Sequence, residues 1–281
     1  MHPMSVPPGL GWSPSPLPVA GLLALALVWA RGRRALPPGS AAAGHPAAFA
    51  AGLAVTAVAL VSPLDTLAGT LLTAHMVQHM LLILVAAPLL ALGAPGVALL
   101  LALPPAWRRR VTQLRRTAPV AAVRVLAGAP VLIWALQVAA IWLWHLPALY
   151  GAALVSEPVH ALEHASFLGT AWLFWRLVLP TGPRRGLSPG LRMLLVFVTA
   201  LPTNLLGALL AFAPTPLYRD QSAGAAAWGL TALSDQQLAG VIMWVQADVL
   251  YLAVLCAVFL RWFASAGRDA VPAPSGAGGR G

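Results

Sequence analysis

Two histidines stand four apart inside an apolar stretch, in His75-Met76-Val77-Gln78-His79-Met80. A helix brings positions i and i+4 onto one face, about 6 Å apart along the axis. A second pair at the same spacing, His160 and His164, brackets Glu163 at the head of another apolar run. An ionisable group inside a membrane helix is costly and by default marks a functional site. Two such pairs in one chain point to a metal or haem site. Imidazole suits copper, zinc, iron and nickel, and thioether beside imidazole favours Cu(I). Met76 and Met80, also four apart, flank the histidine face and are candidate soft ligands. The alternatives are histidines hydrogen-bonded between helices and methionines that only pack.

Three further groups could serve the same chemistry. Glu163 shares a face with His160 and His164. It could ligate, orient an imidazole or move protons, or it could snorkel to the interface and pair there. The order is not His-Glu-x-x-His, so no zincin-type helix is indicated. His145 lies in Trp142-x-Trp144-His145-x-Pro147-x-x-Tyr150, either a ligand or part of an interfacial aromatic belt. In Asp235-Gln236-Gln237-x-Ala239-Gly240-x-Ile242-Met243-Trp244, Asp235 is a plausible helix N-cap. Gln236 and Met243 share a face that could point at the histidines. Asp65, with Asp235, Gln236 and Met243, is a candidate to support the ligands from behind. Asp248 sits about 20 Å deeper by helical rise, placed for proton transfer or an interhelical bond. Cys256 reads as a small buried hydrophobe.

The elements that must carry these residues are membrane helices. The 281-residue chain is 59% hydrophobic and 9% charged, against roughly 25% charged in soluble domains. It reads as an all-α, multi-pass protein of the cell membrane. The net charge of +10 does not imply nucleic acid, because the arginines are confined to segments between apolar runs. The sequence has no lysine, and one cysteine excludes an internal disulfide and CxxC metal chemistry. Met1–Pro18 lacks basic residues, and the first arginines follow the first apolar run. That polarity is opposite to a cleavable signal peptide, so a retained helix is expected.

Seven apolar runs approach the 17–25 residues a span needs: Pro16–Ala30, Ala47–Val61, Gly69–Leu92, Ala129–Trp144, Val159–Leu179, Leu191–Phe212 and Asp235–Phe263. Arginines fall in alternate connections. Arg31, Arg33 and Arg34 follow the first run, and Arg108, Arg109, Arg110, Arg115, Arg116 and Arg124 the third. Arg184 and Arg185 follow the fifth, with Arg176 and Arg192 beside them, and Arg261, Arg268 and Arg280 end the chain. Only Arg219 breaks the pattern. The positive-inside rule then puts the N-terminus outside and the C-terminus in the cytoplasm. Asp65, Glu157, Asp220, Asp235 and five of the seven histidines fall at outer ends. The expected layout is an outer segment 1–15, a seven-helix membrane domain 16–263 and a disordered cytoplasmic tail 264–281. Gly96–Leu103 reads as re-entrant or interfacial. Pro105–Arg124 suits a basic surface helix lying on anionic lipid at the cytoplasmic face.

Taken together, these motifs resemble the CtaG family of cytochrome c oxidase assembly factors, the polytopic type associated with copper-containing terminal oxidases. The resemblance is carried by His75-Met76-x-Gln78-His79-Met80 with Pro88 and Leu92-Gly93-Ala94-Pro95, by Trp144-His145-x-Pro147-x-x-Tyr150, by Glu163-His164, and by Asp235 to Trp244. Ser62-Pro63-Leu64-Asp65 and Pro214 to Tyr218 belong with them, so it runs from about Ser62 to Arg261. Where the family often has paired tryptophans and a proline, this chain has Phe174-Trp175-Arg176. A soluble copper chaperone sharing the family name uses paired cysteines, which the single Cys256 argues against. The resemblance implies oxidase maturation, cytochrome c oxidase subunits as partners and copper handled at the outer face. On that reading the protein is an assembly factor or metallochaperone with no catalytic residues. The residues alone leave two other readings open: a zinc-dependent intramembrane hydrolase and a haem-binding electron carrier.

Overall fold

A computed structural model of the chain describes residues 12, 16–37, 40, 44–93, 95–120, 129–179, 187–218 and 221–269. Most of segment 1–15, Ala94, Arg124, Arg184, Arg185, Arg219, Asp220, Arg280 and the tail from Ala270 lie outside the described residues. Within them the protein is all helical, without strands. The elements are α1 Pro16–Arg34, α2 Pro46–Val61, α3 Pro63–Ala68, α4 Leu72–Met80, a π-helical segment Leu81–Ala86, α5 Ala87–Leu92, α6 Gly96–Ala102 and α7 Pro105–Leu114. They continue as α8 Pro130–Trp144, α9 Pro147–Val155, α10 Glu157–Val178, α11 Pro189–Ala211, a 3-10 segment Gln221–Trp228 and α12 Ala232–Asp269. The last helix continues through Ala264–Asp269, which the sequence had assigned to the tail.

Among the described residues, three helices are long and apolar enough to cross a membrane: the α4–π–α5 rod Leu72–Leu92, α11, and Ala232–Ser265 of α12. The pair α8 and α9 would form a fourth, bent by 73° at the Trp144/Pro147 break. The helix α2 is apolar but has only 16 residues. Helices α1 and α10 lie where spans were expected, but Arg31, Arg33 and Arg34 in one and Glu157, Glu163 and Arg176 in the other dilute their apolar character. The outward faces of α11 and α12 are apolar, with Leu201, Leu205, Val245, Val249 and Leu252 exposed. Contiguous exposed apolar surface of this kind suits lipid. The expected re-entrant segment is the short helix α6, seated on α1. Gly32 of α1 meets the backbone of Ala98, where a Cβ would collide.

The central rod is the most enclosed of the three, 67% buried against 39% for α11 and 17% for α12. Its π-helical stretch has a local cause. Pro88 has no N–H, so a carbonyl that would bond to it is left without its main-chain donor. In the i→i+5 pattern that carbonyl is Ile83 O, and the Trp175 indole of α10 donates to it at 2.8 Å. One side chain thus supplies the missing bond and ties α10 to the rod. Trp175 and Phe174 are buried among Ile83, Leu84 and Ile133, the middle of the apolar core.

The rod's N-terminus is set from across the bundle. Leu71 at its N-cap offers no side-chain bond. Asp235 of α12 serves instead: its Oδ2 accepts from Leu72 N at 2.8 Å, and its Oδ1 from Thr73 N at 3.0 Å and Thr73 Oγ1 at 2.6 Å. A carboxylate at a helix N-terminus also opposes the helix dipole favourably. Asp235 therefore does not cap its own helix, as its position suggested. Thr231 does that, exchanging bonds with Ser234. Asp235→Ala should cost about 2 kcal/mol, since it strips a charged acceptor from two backbone donors. A fall in thermal midpoint of the detergent-solubilised protein, larger than for Thr231→Ala, is the expected measurement.

Candidate metal centre

Three helical elements bring five histidines to one end of the bundle. His75 and His79 come from the first turns of the rod, His160 and His164 from the first turns of α10, and His145 from the residue that ends α8. The ring centroids of His75 and His79 are 4.3 Å apart and those of His160 and His164 are 4.2 Å apart. The pairs face each other, with His75 at 5.6 Å from His160 and His79 at 5.4 Å from His164. His145 is 6.2 Å from His79. His45 takes no part, and His2 lies outside the described residues.

Glu163 lies between the pairs and is fully buried. Its Oε2 is 3.9 Å from His75 Nε2 and its Oε1 3.7 Å from His79 Nε2, too long for hydrogen bonds. His75 Nδ1 contacts Ala68 O at 3.3 Å. A carbonyl only accepts, so Nδ1 carries a proton, and Nε2 faces the carboxylate. Among the described residues, both oxygens of Glu163, both ring nitrogens of His79, Nε2 of His160, Nε2 of His164 and the Tyr150 hydroxyl make no hydrogen bond. Buried polar groups are nearly always satisfied, and an unpaired buried carboxylate is especially costly. An unpaired carboxylate among imidazoles can accommodate a small cation.

The donor set fits a metal ion. His75, His160, Glu163 and His164 each offer one ligand atom, all within 4.8 Å of one another. Tetrahedral ligation at about 2.0–2.2 Å places donors about 3.4 Å apart, so the set would close by little more than an ångström. Three neutral imidazoles and one carboxylate carry a single negative charge, which a mono- or divalent cation would offset. His160 is only half-buried while the other three are enclosed, which gives the cluster one side open to exchange.

The other candidates divide by position. Met76 reaches the cluster, its Sδ 3.4 Å from His145 Nε2. Met80 and Met243 lie in the apolar core and behave there as packing. Asp65 accepts from Gln78 Nε2 at 2.7 Å, and the same amide nitrogen donates to Ala59 O at 2.8 Å. It thereby fixes the residue next to His79. Gln236 turns away from the histidines, accepting from Leu217 N at 2.6 Å and donating to Leu210 O at 3.5 Å. It holds the loop that carries Tyr218. The Tyr218 hydroxyl donates to His145 O at 2.5 Å, and burial pushes its phenol well above the ordinary range, which keeps the donor proton in place. Tyr150, not singled out from the sequence, lies 5.2 Å from His75, ring to ring. Its place at the end of the Trp-His-x-Pro-x-x-Tyr motif was the available signal. Asp248 accepts an interhelical bond from Asn204 Nδ2 at 2.5 Å. Cys256, expected to be buried, is exposed.

The sequence profile of the cytochrome c oxidase caa3 assembly factor family (Caa3_CtaG) matches residues 23–265. That is most of the chain, and it contains every histidine of the cluster. The protein belongs to this family. The caa3 assembly factor match begins well before Ser62, where the motif resemblance began, and takes in α1 and α2. No curated protein and no solved structure matches the chain.

Proposed function

We propose that this assembly factor takes up copper at its buried histidine cluster and passes it to cytochrome c oxidase subunits as the oxidase matures. Copper is the cargo, held by His75, His160, His164 and Glu163 and exchanged past His160. The observation behind this is the carboxylate of Glu163, buried between two histidine pairs with no hydrogen bond to either oxygen. A metallochaperone site must be tight enough to load yet open enough to unload, and a set with one half-exposed ligand suits both. Metal analysis of protein purified without chelator or metal-affinity resin tests this. Copper near one equivalent or above is expected, and its loss in His75→Ala ties it to this cluster.

In the same reading the chain crosses the plasma membrane seven times, with the N-terminus outside and the C-terminus in the cytoplasm. The arginine alternation supports it. The rod that starts at the cluster is 21 residues long, about 31 Å by helical rise, and the basic helix α7 follows its far end. Every residue of α7 is at least partly exposed, and Arg108, Arg109 and Arg110 share it with Trp107. This suits anionic lipid at the cytoplasmic surface. Reporter fusions after Arg116 should be active only as cytoplasmic reporters; an external signal there would move the cluster to the wrong face and end this reading.

A zinc-dependent hydrolase is the second reading, because three imidazoles and a carboxylate are also a zinc donor set. A haem carrier is disfavoured by the histidine rings, whose centroids lie 4.2–6.3 Å apart. That spacing holds the rings against one another instead of on two sides of a porphyrin.

A further inference from the structure

Beside the carboxylate-containing cluster, two soft acceptors meet in a dry place. His145 Nδ1 lies 2.6 Å from Ile141 O. A carbonyl cannot donate, so Nδ1 holds the ring proton and Nε2 presents a lone pair. That lone pair faces Met76 Sδ at 3.4 Å. Sulfur of a thioether is also an acceptor without a proton. Both side chains are buried. Two acceptors in contact inside a protein need an electrophile between them.

We propose that Met76 Sδ and His145 Nε2, with His79 as third ligand, form a second metal site that takes Cu(I). The inference rests on the copper reading above and divides the histidines into two centres. Imidazole with thioether is the donor pair suited to Cu(I), while the carboxylate of Glu163 suits harder ions. Metal–nitrogen and metal–sulfur bonds of about 2.0 and 2.3 Å across a 3.4 Å gap give an angle at the metal of roughly 105°. That angle is far from linear, so a third donor is required. His79 follows Met76 by three residues on the same helical face. Neither of its ring nitrogens is hydrogen-bonded among the described residues. Its ring lies between His145 and His164, at 6.2 and 5.4 Å. Phe167 covers both His79 and His145, at 4.6 and 6.2 Å, and closes the site with hydrocarbon. A singly charged ion without a carboxylate partner suits such a dry pocket better than a doubly charged one. His79 then stands where one imidazole can turn from one centre to the other, so cargo need not re-enter water between them.

The test is copper X-ray absorption on the full-length protein in detergent, loaded anaerobically with Cu(I) to saturation. The parent should bind two equivalents and show a sulfur neighbour at about 2.3 Å. Met76→Leu keeps the volume and removes the sulfur. It should lose that neighbour and one equivalent in competition with a chromophoric Cu(I) chelator, while its Zn(II) uptake matches the parent's. Met80→Leu and Met243→Leu, changed in the apolar core, should keep the sulfur signal. Parent protein holding copper by nitrogen and oxygen alone overturns the second site and leaves the first standing. So does Met76→Leu binding both equivalents at parent affinity. Parent protein that binds no copper overturns both. The parent spectrum decides the matter even if Met76→Leu does not fold.

Discussion

His164→Ala and His75→Ala should each lower copper affinity by about 100-fold or more. A four-ligand site binds with roughly 10–16 kcal/mol, so one ligand accounts for about 3 kcal/mol, or two orders of magnitude. Insertion should survive, because neither change shortens the apolar rod Leu72–Leu92 or the core of α10. The loss should therefore show as protein present at normal level, with the copper of that site missing and poor oxidase activity in the cells that carry it. Added copper should restore part of that activity, since mass action refills a weakened site. Two results would sink the reading: unchanged oxidase activity in both variants, or failure that copper does not relieve although the protein accumulates. Asp235→Ala provides a contrast. It disturbs the N-terminus of the helix that bears His75 without touching a ligand, so it should cost stability first and copper affinity only as the rod shifts.

The helices and the histidines were legible for different reasons. Apolar runs bounded by proline and arginine marked the elements, and α2, α10, α11 and the rod begin or end within a few residues of the expected bounds. The i,i+4 spacing carried the histidine pairs, because that relation is local and independent of how helices meet. What the spacing could not carry was anything made across the bundle. Asp235 lies 163 positions from Leu72 in the chain, and its own helix offered a nearer and wrong role. Met80 stands one turn beyond Met76 on a similar face. Yet the two methionines, both in α4, meet different neighbours, one His145 and the other the apolar core. The 73° bend after Trp144 was likewise beyond the spacing, since Pro147 marks a break but not its angle. The break lets His145 end one helix and point inward while Tyr150 of the next helix reaches His75. Trp175, within the segment Phe174-Trp175-Arg176 that departs from the family pattern, is the residue that satisfies Ile83 O.

Glu163→Gln is the substitution at which the two chemical readings part. Gln keeps the shape and one carbonyl oxygen but removes the negative charge. In the copper reading the charge is what balances the ion among neutral imidazoles, and the amide oxygen is a weaker donor. Binding should then fall by about 10–100-fold, in the range seen for groups that tune a metal site, and less than for loss of His164. The neutral side chain also removes the buried negative charge that has no hydrogen bond. The metal-free variant should therefore be as stable as the parent or more so, because the cost of that charge disappears. A general base in a zinc hydrolase behaves otherwise. Its loss leaves the ion in place on three histidines and abolishes turnover, typically by 10²–10⁴-fold. The measurements are metal affinity and thermal midpoint of the purified Gln variant, with and without metal, beside a screen of the parent for lipid or peptide hydrolysis. Weaker binding with a raised metal-free midpoint is the expected pair of results. Full metal retention in the variant, together with hydrolysis by the parent that the variant lacks, would assign Glu163 to a reaction and make the protein an enzyme. Metal retention is the sharper half of this test, because either reading builds the site around a cation and leaves the carboxylate a burden without one, whereas only the copper reading makes the charge itself part of what holds the ion.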